Sequence, residues 1–305
     1  MDALLKLDEI PRSRIMFMIA GWQQWADAGN ISSGLPAYLI NQLKARKIGE
    51  IESDPFYLFQ FPGTHHMLRP TVVLEEGLVK DLELPTNEFY FAGDEERGLI
   101  IFLGEEPHLK VERYTRIFLD AVQAFGVQRT ITLGGVYGNI PYDKDRDVSC
   151  VFSLGTLSQE LLDYALRFSN YQGGSTIGTH IVHGAAQREM EMIAFYGFAP
   201  AYDFSNLDNS NQILRVDNDF RAWYEIMRRI NFMLRLGVDL SDLAQRADEL
   251  NTSIEEEIDK LASQIPQLRG YLAQLTAEFK ERPFMPLDSI WADELGDILD
   301  EFGGE

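Results

Sequence analysis

The segment AGWQQWADAGN, residues 20–30, places Trp22, Trp25, Asp27 and Asn30 between an apolar run and a helix-like stretch. Carboxylate and amide side chains at such a corner can hold a polar ligand, or they can cap the helix that follows. Three other segments carry comparable chemistry. EEPHLK holds Glu106 and His108, GVYGNIPYDKD holds Asn139 and Tyr142, and GTHHMLRP (63–70) holds Arg69. A nucleoside-processing site needs an acid near the base and ribose, and cationic or amide donors for phosphate; Asp27 and Arg69 suit those roles. The candidate ligand pocket is therefore Trp22, Asp27, Asn30, Arg69, Glu106, His108, Asn139 and Tyr142. In the purely architectural alternative, Asp27 folds the turn or caps residues 30–46, while Trp22 and Trp25 pack the corner.

Other reactive groups lack a setting for catalysis. His180 and His183 stand three apart, and His65 and His66 are adjacent, but zinc needs a third ligand and HExxH is absent. GGSTIG (173–178) precedes a helix and could offer backbone N–H groups to a phosphate, yet it fits neither GxxxxGK[ST] nor GxGxxG. Cys150 sits in the apolar run VSCVFS with no neighbouring base, and there is no GxSxG elbow. No catalytic residue, metal site or cofactor is expected.

These side chains need strands and helices to position them. RIMFMIAG (14–21), GLIIFLG (98–104), RTITLGGV (129–136) and MIAFYGFAP (192–200) read as strands, the first three apolar on both faces. SDPFYLFQF reads as another strand, and RPTVVLEEGLVKDLEL as a hairpin turning near Glu76–Gly77. Helical spacing covers 30–46, with Asn30 and Ser32 as N-cap candidates. It also covers 107–126, with proline in the first turn and glycine at the end, then 155–168 and 173–191. Apolar strands alternating with helices imply an α/β fold, a three-layer α/β/α sandwich with a mostly parallel sheet over residues 1–215. The 71–91 hairpin would be an antiparallel embellishment. In such sheets ligands collect beyond the carboxyl ends of the strands, where several candidate residues fall.

Residues 216–282 read as a helical extension. One helix covers 218–237. A second carries Leu240, Leu243, Ala247, Leu250, Ile254, Ile258 and Leu261 as one stripe, and a third follows Pro266. The last two should form a helical hairpin packed on the α/β domain or a neighbouring subunit. The acidic tail, 283–305, has seven acidic and no basic side chains in 284–305, interleaved with Ile290, Trp291 and Phe302. It reads as a solvated segment or as a partner-docking one.

With 305 residues, 45% hydrophobic, the chain can build one sizeable core. A formal net charge of −21 disfavours nucleic acid and anionic membranes as partners. One cysteine fits a reducing compartment, and neither a signal peptide nor a membrane span is evident, so a cytoplasmic protein is expected.

Five segments in order resemble the proteasome assembly chaperone family, type-2 branch: GWQQWADAGN, LGEEPHLKVERY, GVQRTITLGGVYGNIPYDKD, YQGGSTIGTHIVHGAAQREMEMIAFY and LRLGVDLSDLAQRADEL. The resemblance spans about residues 12–280 and is similar to that of bacterial and actinobacterial members. It implies a three-layer fold of nucleoside phosphorylase/hydrolase-like topology, homo-oligomers with a trimer the leading expectation, and a protein partner, as in proteasome assembly by archaeal and eukaryotic relatives. Trp25 adds bulk to the family's turn, and NIPYDKD has Tyr142 and acids where histidine, threonine and arginine are usual. The ending EFGGE differs from the hydrophobic-Tyr-any tripeptide by which some archaeal relatives dock on the proteasome. The expected function is a non-catalytic, chaperone- or assembly-factor-like binding protein. The alternative is a hydrolase or nucleoside/phosphate-ligand enzyme using the strand-end pocket.

Overall fold

The structure is a computed structural model that describes residues 2–23, 25–59, 69–205 and 212–284. His65, His66 and the tail from 285, with Trp291 and Phe302, lie outside the described residues.

A large mixed sheet forms the middle layer. Its four long central strands, β2 (Ile15–Gln23), β7 (Arg97–Glu105), β8 (Arg129–Gly138) and β11 (Met192–Asp203), run parallel in the order β7-β2-β8-β11. Antiparallel strands widen one flank: β6 (Asn87–Gly93) on β7, β3 (Arg46–Ile51) on β6 and β1 (Leu5–Leu7) on β3. On the other flank β9 (Val148–Phe152) pairs antiparallel with β11, and β10 (Arg167–Phe168) lies parallel to β9. The short β12 (Ile213–Arg215) also pairs with β11. The expected mostly parallel central sheet is present.

Alternation along β2 explains the layers. Met18, Ala20 and Trp22 enter one core with helices α2 (Val111–Ala124) and α4 (Ile177–Gln187). Ile19 faces the other core with α1 (Gly34–Gln42) and α5 (Phe220–Leu234). Both faces are covered, so the strand is apolar on both. A third cluster joins Tyr202, Phe204 and Leu214 to Ile254 and Ile258 of α6 (Ser241–Ala262) and to Leu268 and Leu272 of α7 (Leu268–Glu278). The stripe read from the sequence thus covers the outer end of β11.

Several local expectations fail. Residues 53–59 of SDPFYLFQF form a turn, not a strand: the Phe56 N–H donates to Ser53 O, and Phe56 O accepts from the His108 and Leu109 N–H groups. Those bonds also delay α2, which starts only after Lys110 takes a left-handed conformation at φ 55°. The 155–168 helix is broken. A four-residue turn of helix, α3 (Ser158–Leu161), is flanked by 3-10 segments, and Ala165 at φ 51° releases the chain to pair as β10. The hairpin ends early as well. Its strands β4 (Thr71–Glu75) and β5 (Leu78–Glu83) stand apart, whereas NEFYFAG returns to the main sheet as β6.

Candidate functional site

Beyond the carboxyl end of β2 the chain makes a corner held by its own polar groups. The Asp27 backbone forms an isolated parallel bridge with Gly135, whose N–H donates to Ala26 O at 2.8 Å. The Asp27 carboxylate accepts from the Ser32 N–H at 2.7 Å, the Ser33 N–H at 3.1 Å and the Ser33 hydroxyl at 2.6 Å. Burial raises its pKa, and the hydrogen bonds from Ser33 and Ser32 oppose that shift. Asp27 therefore folds the turn ahead of α1. Ser32 is no helix cap: its hydroxyl accepts from the Trp22 N–H and donates to Leu133 O at 2.7 Å. Nor is Asn30, which stands at φ 47° and donates from Nδ2 to Asn218 Oδ1 at 3.0 Å.

The other candidates are engaged in structural contacts too. Trp22 is fully buried, packs on Phe102 and Phe118, and donates its indole N–H to the Tyr114 hydroxyl at 2.8 Å. As a core residue it is closed off from solvent. Glu106 clasps two loops: Oε2 accepts from the Trp25 N–H and Oε1 from the Ile177 N–H at the start of α4, both at 3.0 Å. A carboxylate suits that helix N-terminus. His108 Nδ1 accepts from the Leu58 N–H, and burial lowers its pKa against the opposing charge of Glu106. Arg69 lies over the Phe59 ring at the foot of the hairpin. Asn139 accepts from the Tyr271 hydroxyl at 2.6 Å, and the Tyr142 hydroxyl donates to Glu255, so both face the C-terminal helices. The structure brings Asp27 and Asn30 together in the corner and ties Glu106 to its other side. Asn139 and Tyr142, just past the end of β8, spend their side chains on the C-terminal helices, and Arg69 lies at the foot of the hairpin.

A buried hub joins these parts, and the sequence reading missed it. Arg146 and Asp219 form a fully buried ion pair at 2.9 Å, and Arg146 Nη1 donates to Tyr142 O and Lys144 O. Asp219 accepts from the Ala222 N–H as the N-cap of α5. Gly29 O accepts from both the Asp219 N–H at 3.0 Å and the Trp223 indole N–H at 2.9 Å. Gly29 sits at φ 63°, and a Cβ there would come within 2.7 Å of Asp219 Cβ. The Arg146–Asp219 and Gly29–Trp223 pairs are 73 and 194 residues apart, which leaves no local pattern from which to read them.

What this end of the sheet exposes is aromatic and apolar. Trp25 is 72% exposed beside Gly174, in a loop that also presents Tyr171, and Val136 and Tyr137 are partly open at the end of β8. Two open depressions lie away from the candidate residues. One, of about 630 Å³, is lined by Gln123, Gln128, Arg188 and Met190 at the amino ends of β8 and β11; the other, of about 430 Å³, lies between α5 and α6. Among the described residues, no cluster of three or more His, Cys, Asp or Glu could hold a metal, and no helix is long and apolar enough to cross a membrane. Cys150 is buried, and burial pushes its thiol up to about 12, far from a reactive thiolate.

Taken together, these features describe a three-layer α/β/α body whose strand-end corner is bonded to itself. The chain belongs to the PAC2 family, whose family model matches residues 21–261. No curated protein matches it at a significant level. Among solved structures, it is similar to a protein of unknown function from Corynebacterium glutamicum, with 18% identity, a TM-score of 0.72, and 90% of this chain and 96% of that one covered. It is similar to a proteasome-assembly chaperone homologue from Mycobacterium tuberculosis, with 19% identity, TM-score 0.69, and 84% and 100% covered. A Pyrococcus furiosus archaeal proteasome activator is 20% identical, with TM-score 0.58 and 83% and 97% covered. At these identities the likeness is one of fold.

Proposed function

We propose that the protein is a non-catalytic, homo-oligomeric binding protein of the cytoplasm, chaperone- or assembly-factor-like, acting through contacts with other proteins. A trimer is the leading assembly. The names of the mycobacterial and archaeal neighbours favour this class. The observation that carries it is the division of labour at the corner. Its polar groups, Asp27 and Glu106, are engaged in backbone bonds, while Trp25 is held outward on that fixed backbone. Large exposed aromatic side chains on a rigid support are characteristic anchors of protein interfaces. Reaction sites, by contrast, keep their charged groups available for substrate.

Two measurements test this reading together. The purified protein should turn over no nucleoside, nucleotide, peptide or ester above background, and should sediment as multiples of its 34.8 kDa chain. A hydrolytic activity lost in a folded Asp27→Asn variant would replace it with the enzyme reading. A species of about 35 kDa alone at micromolar concentration would remove the oligomer.

A further inference from the structure

Three stretches of chain meet at the Glu106 side chain. Its own N–H donates to Gln23 O at 2.9 Å, so the backbone of Glu106 is fixed to the last residue of β2. The half-buried carboxylate then divides: Oε2 accepts from the Trp25 N–H and Oε1 from the Ile177 N–H. Ile177 opens α4, where the helix supplies no acceptor of its own for that N–H. Thr176 fixes the same turn to β11. Its hydroxyl accepts from the Thr179 N–H at 3.1 Å and lies 2.6 Å from the Tyr196 hydroxyl.

The loop ahead of α4 is bound far less. From Asn170 to Ser175 the only hydrogen bond among the described residues runs from the Tyr171 N–H to Ser169 Oγ, at 3.3 Å. What lies against this loop is the Trp25 indole. A Cβ at Gly174 would stand 3.6 and 3.7 Å from the indole Cζ3 and Cη2, an ordinary contact. Glu106, Trp25, Gly174 and Ile177 therefore close a ring. Two of its links are hydrogen bonds to one carboxylate, and the third is the indole on the loop.

We propose that Glu106 is the positioning residue of Trp25, a two-point clasp that locks the exposed indole to the 170–175 loop so that the two move as one body. Its purpose rests on the reading of Trp25 as a contact residue, its mechanism on the ring alone. Both N–H groups donate, so both side-chain atoms that face them must accept, which a carboxylate does. An amide offers one acceptor and turns an N–H toward the other donor. An aspartate keeps the charge, but one methylene shorter it cannot span both stretches from the same backbone position. The ionised acceptor also suits the start of α4, and hydrogen bonds to it are roughly twice as strong as neutral ones.

The test uses the full chain with its tryptophans replaced by 5-fluorotryptophan and reads fluorine NMR. The Trp25 line is assigned by its loss in Trp25→Phe, and amide exchange at Trp25 and Ile177 is followed alongside. Glu106→Gln and Glu106→Asp should each move and narrow the Trp25 line, leave those of buried Trp22 and Trp223 in place, and speed exchange of both amides about tenfold. Gly174→Ala, which only adds contact under the indole, should keep both readouts at wild-type values. Wild-type lines and rates in Glu106→Asp would mean that charge alone suffices, and the clasp is overturned. It is overturned equally if Glu106→Gln leaves the Trp25 line unmoved, speeds one amide without the other, or disturbs Trp22 and Trp223 as well. These readouts need no partner and no assembly. A chain that stays monomeric, or that turns over a substrate, ends the binding reading and leaves the clasp standing.

Discussion

The strand-end corner and the β4–β5 arm contrast in how their sequence is used. In the corner, short polar side chains serve the backbone. Asp27 takes three donors, Ser32 joins β2 to β8, and Gly29 O takes two donors from the start of α5. In the arm, large apolar side chains stay exposed and join none of the core clusters of the described residues. The residues that looked chemical are thus structural, and the residues that looked like ordinary strand formers are available for contact. Residue type alone assigns such roles poorly, because the deciding variable is whether a group's bonds are satisfied within the fold.

The sharpest way to break this contrast is at the hub. Asp219→Ala removes the carboxylate ion-paired with Arg146 and the cap of α5 at once, leaving a buried guanidinium without that counter-charge. The expected loss is about 3–5 kcal/mol, read from denaturant midpoints. A loss below about 1 kcal/mol would mean that the corner is not held from α5. Next in size, Trp22→Phe removes the indole donor to Tyr114 and opens a void between Phe102 and Phe118. It should cost roughly 1–3 kcal/mol, and a neutral result would return Trp22 to the list of surface candidates.

Asp27→Ala should cost about 1–2 kcal/mol, as for a lost cap, and Asp27→Asn less, because the amide oxygen still accepts from Ser32 and Ser33. The pH dependence sharpens this. Burial holds the Asp27 pKa above its ordinary 3.8, so the folded chain binds that proton more readily than the unfolded one. Ionisation is the penalised form; its cost is present above the folded pKa and is relieved as pH falls through that value toward 3.8. Wild type should accordingly gain stability relative to Asp27→Asn across that window, and parallel pH profiles would refute the burial argument. Asp2 behaves oppositely. Its hydrogen bond from Arg113 lowers it to about 2, so its contribution is present above the ordinary value and lost as pH falls through about 2. The smallest effect belongs to the arm, where Val72→Thr, Leu74→Thr, Val79→Thr and Leu82→Thr together, all at exposed positions, should leave the stability of the α/β body within about 0.5 kcal/mol. A larger change would mean that the arm supports the body after all.

Sequence made the central architecture legible, for a physical reason. Strands β2, β7, β8 and β11 are covered on both faces, so their apolar runs admit few other readings. Residues 53–59 failed because Phe56 bonds to Ser53 and to the 108–109 turn, a tertiary choice that overrides its strand-like composition. The helix over 155–168 failed because β9 offered β10 a pairing edge. At the site, the carboxyl-end location was readable, but the division between Trp22 and Trp25 was not. Three residues apart, Trp22 is the last inward-facing residue of β2 and packs into the core with α2, whereas Trp25 lies past the strand in the exposed turn. The Arg146–Asp219 pair could not be read at all, since each half is an ordinary loop charge until the fold joins them.

The Gly29 carbonyl sets an order of events. Its two donors lie 190 and 194 residues further along the chain, so the first corner of the fold is finished by one of its later helices. At a synthesis rate of about 5–20 residues per second, the corner waits roughly 10–40 seconds for Asp219 and Trp223 to emerge. During that interval β2 can pair with β7 and then with β8, while the turn that presents Trp25 still lacks its anchor to α5. The exposed tryptophan therefore reaches its final setting only when most of the α/β body already exists, and its correct presentation becomes a late marker of complete folding.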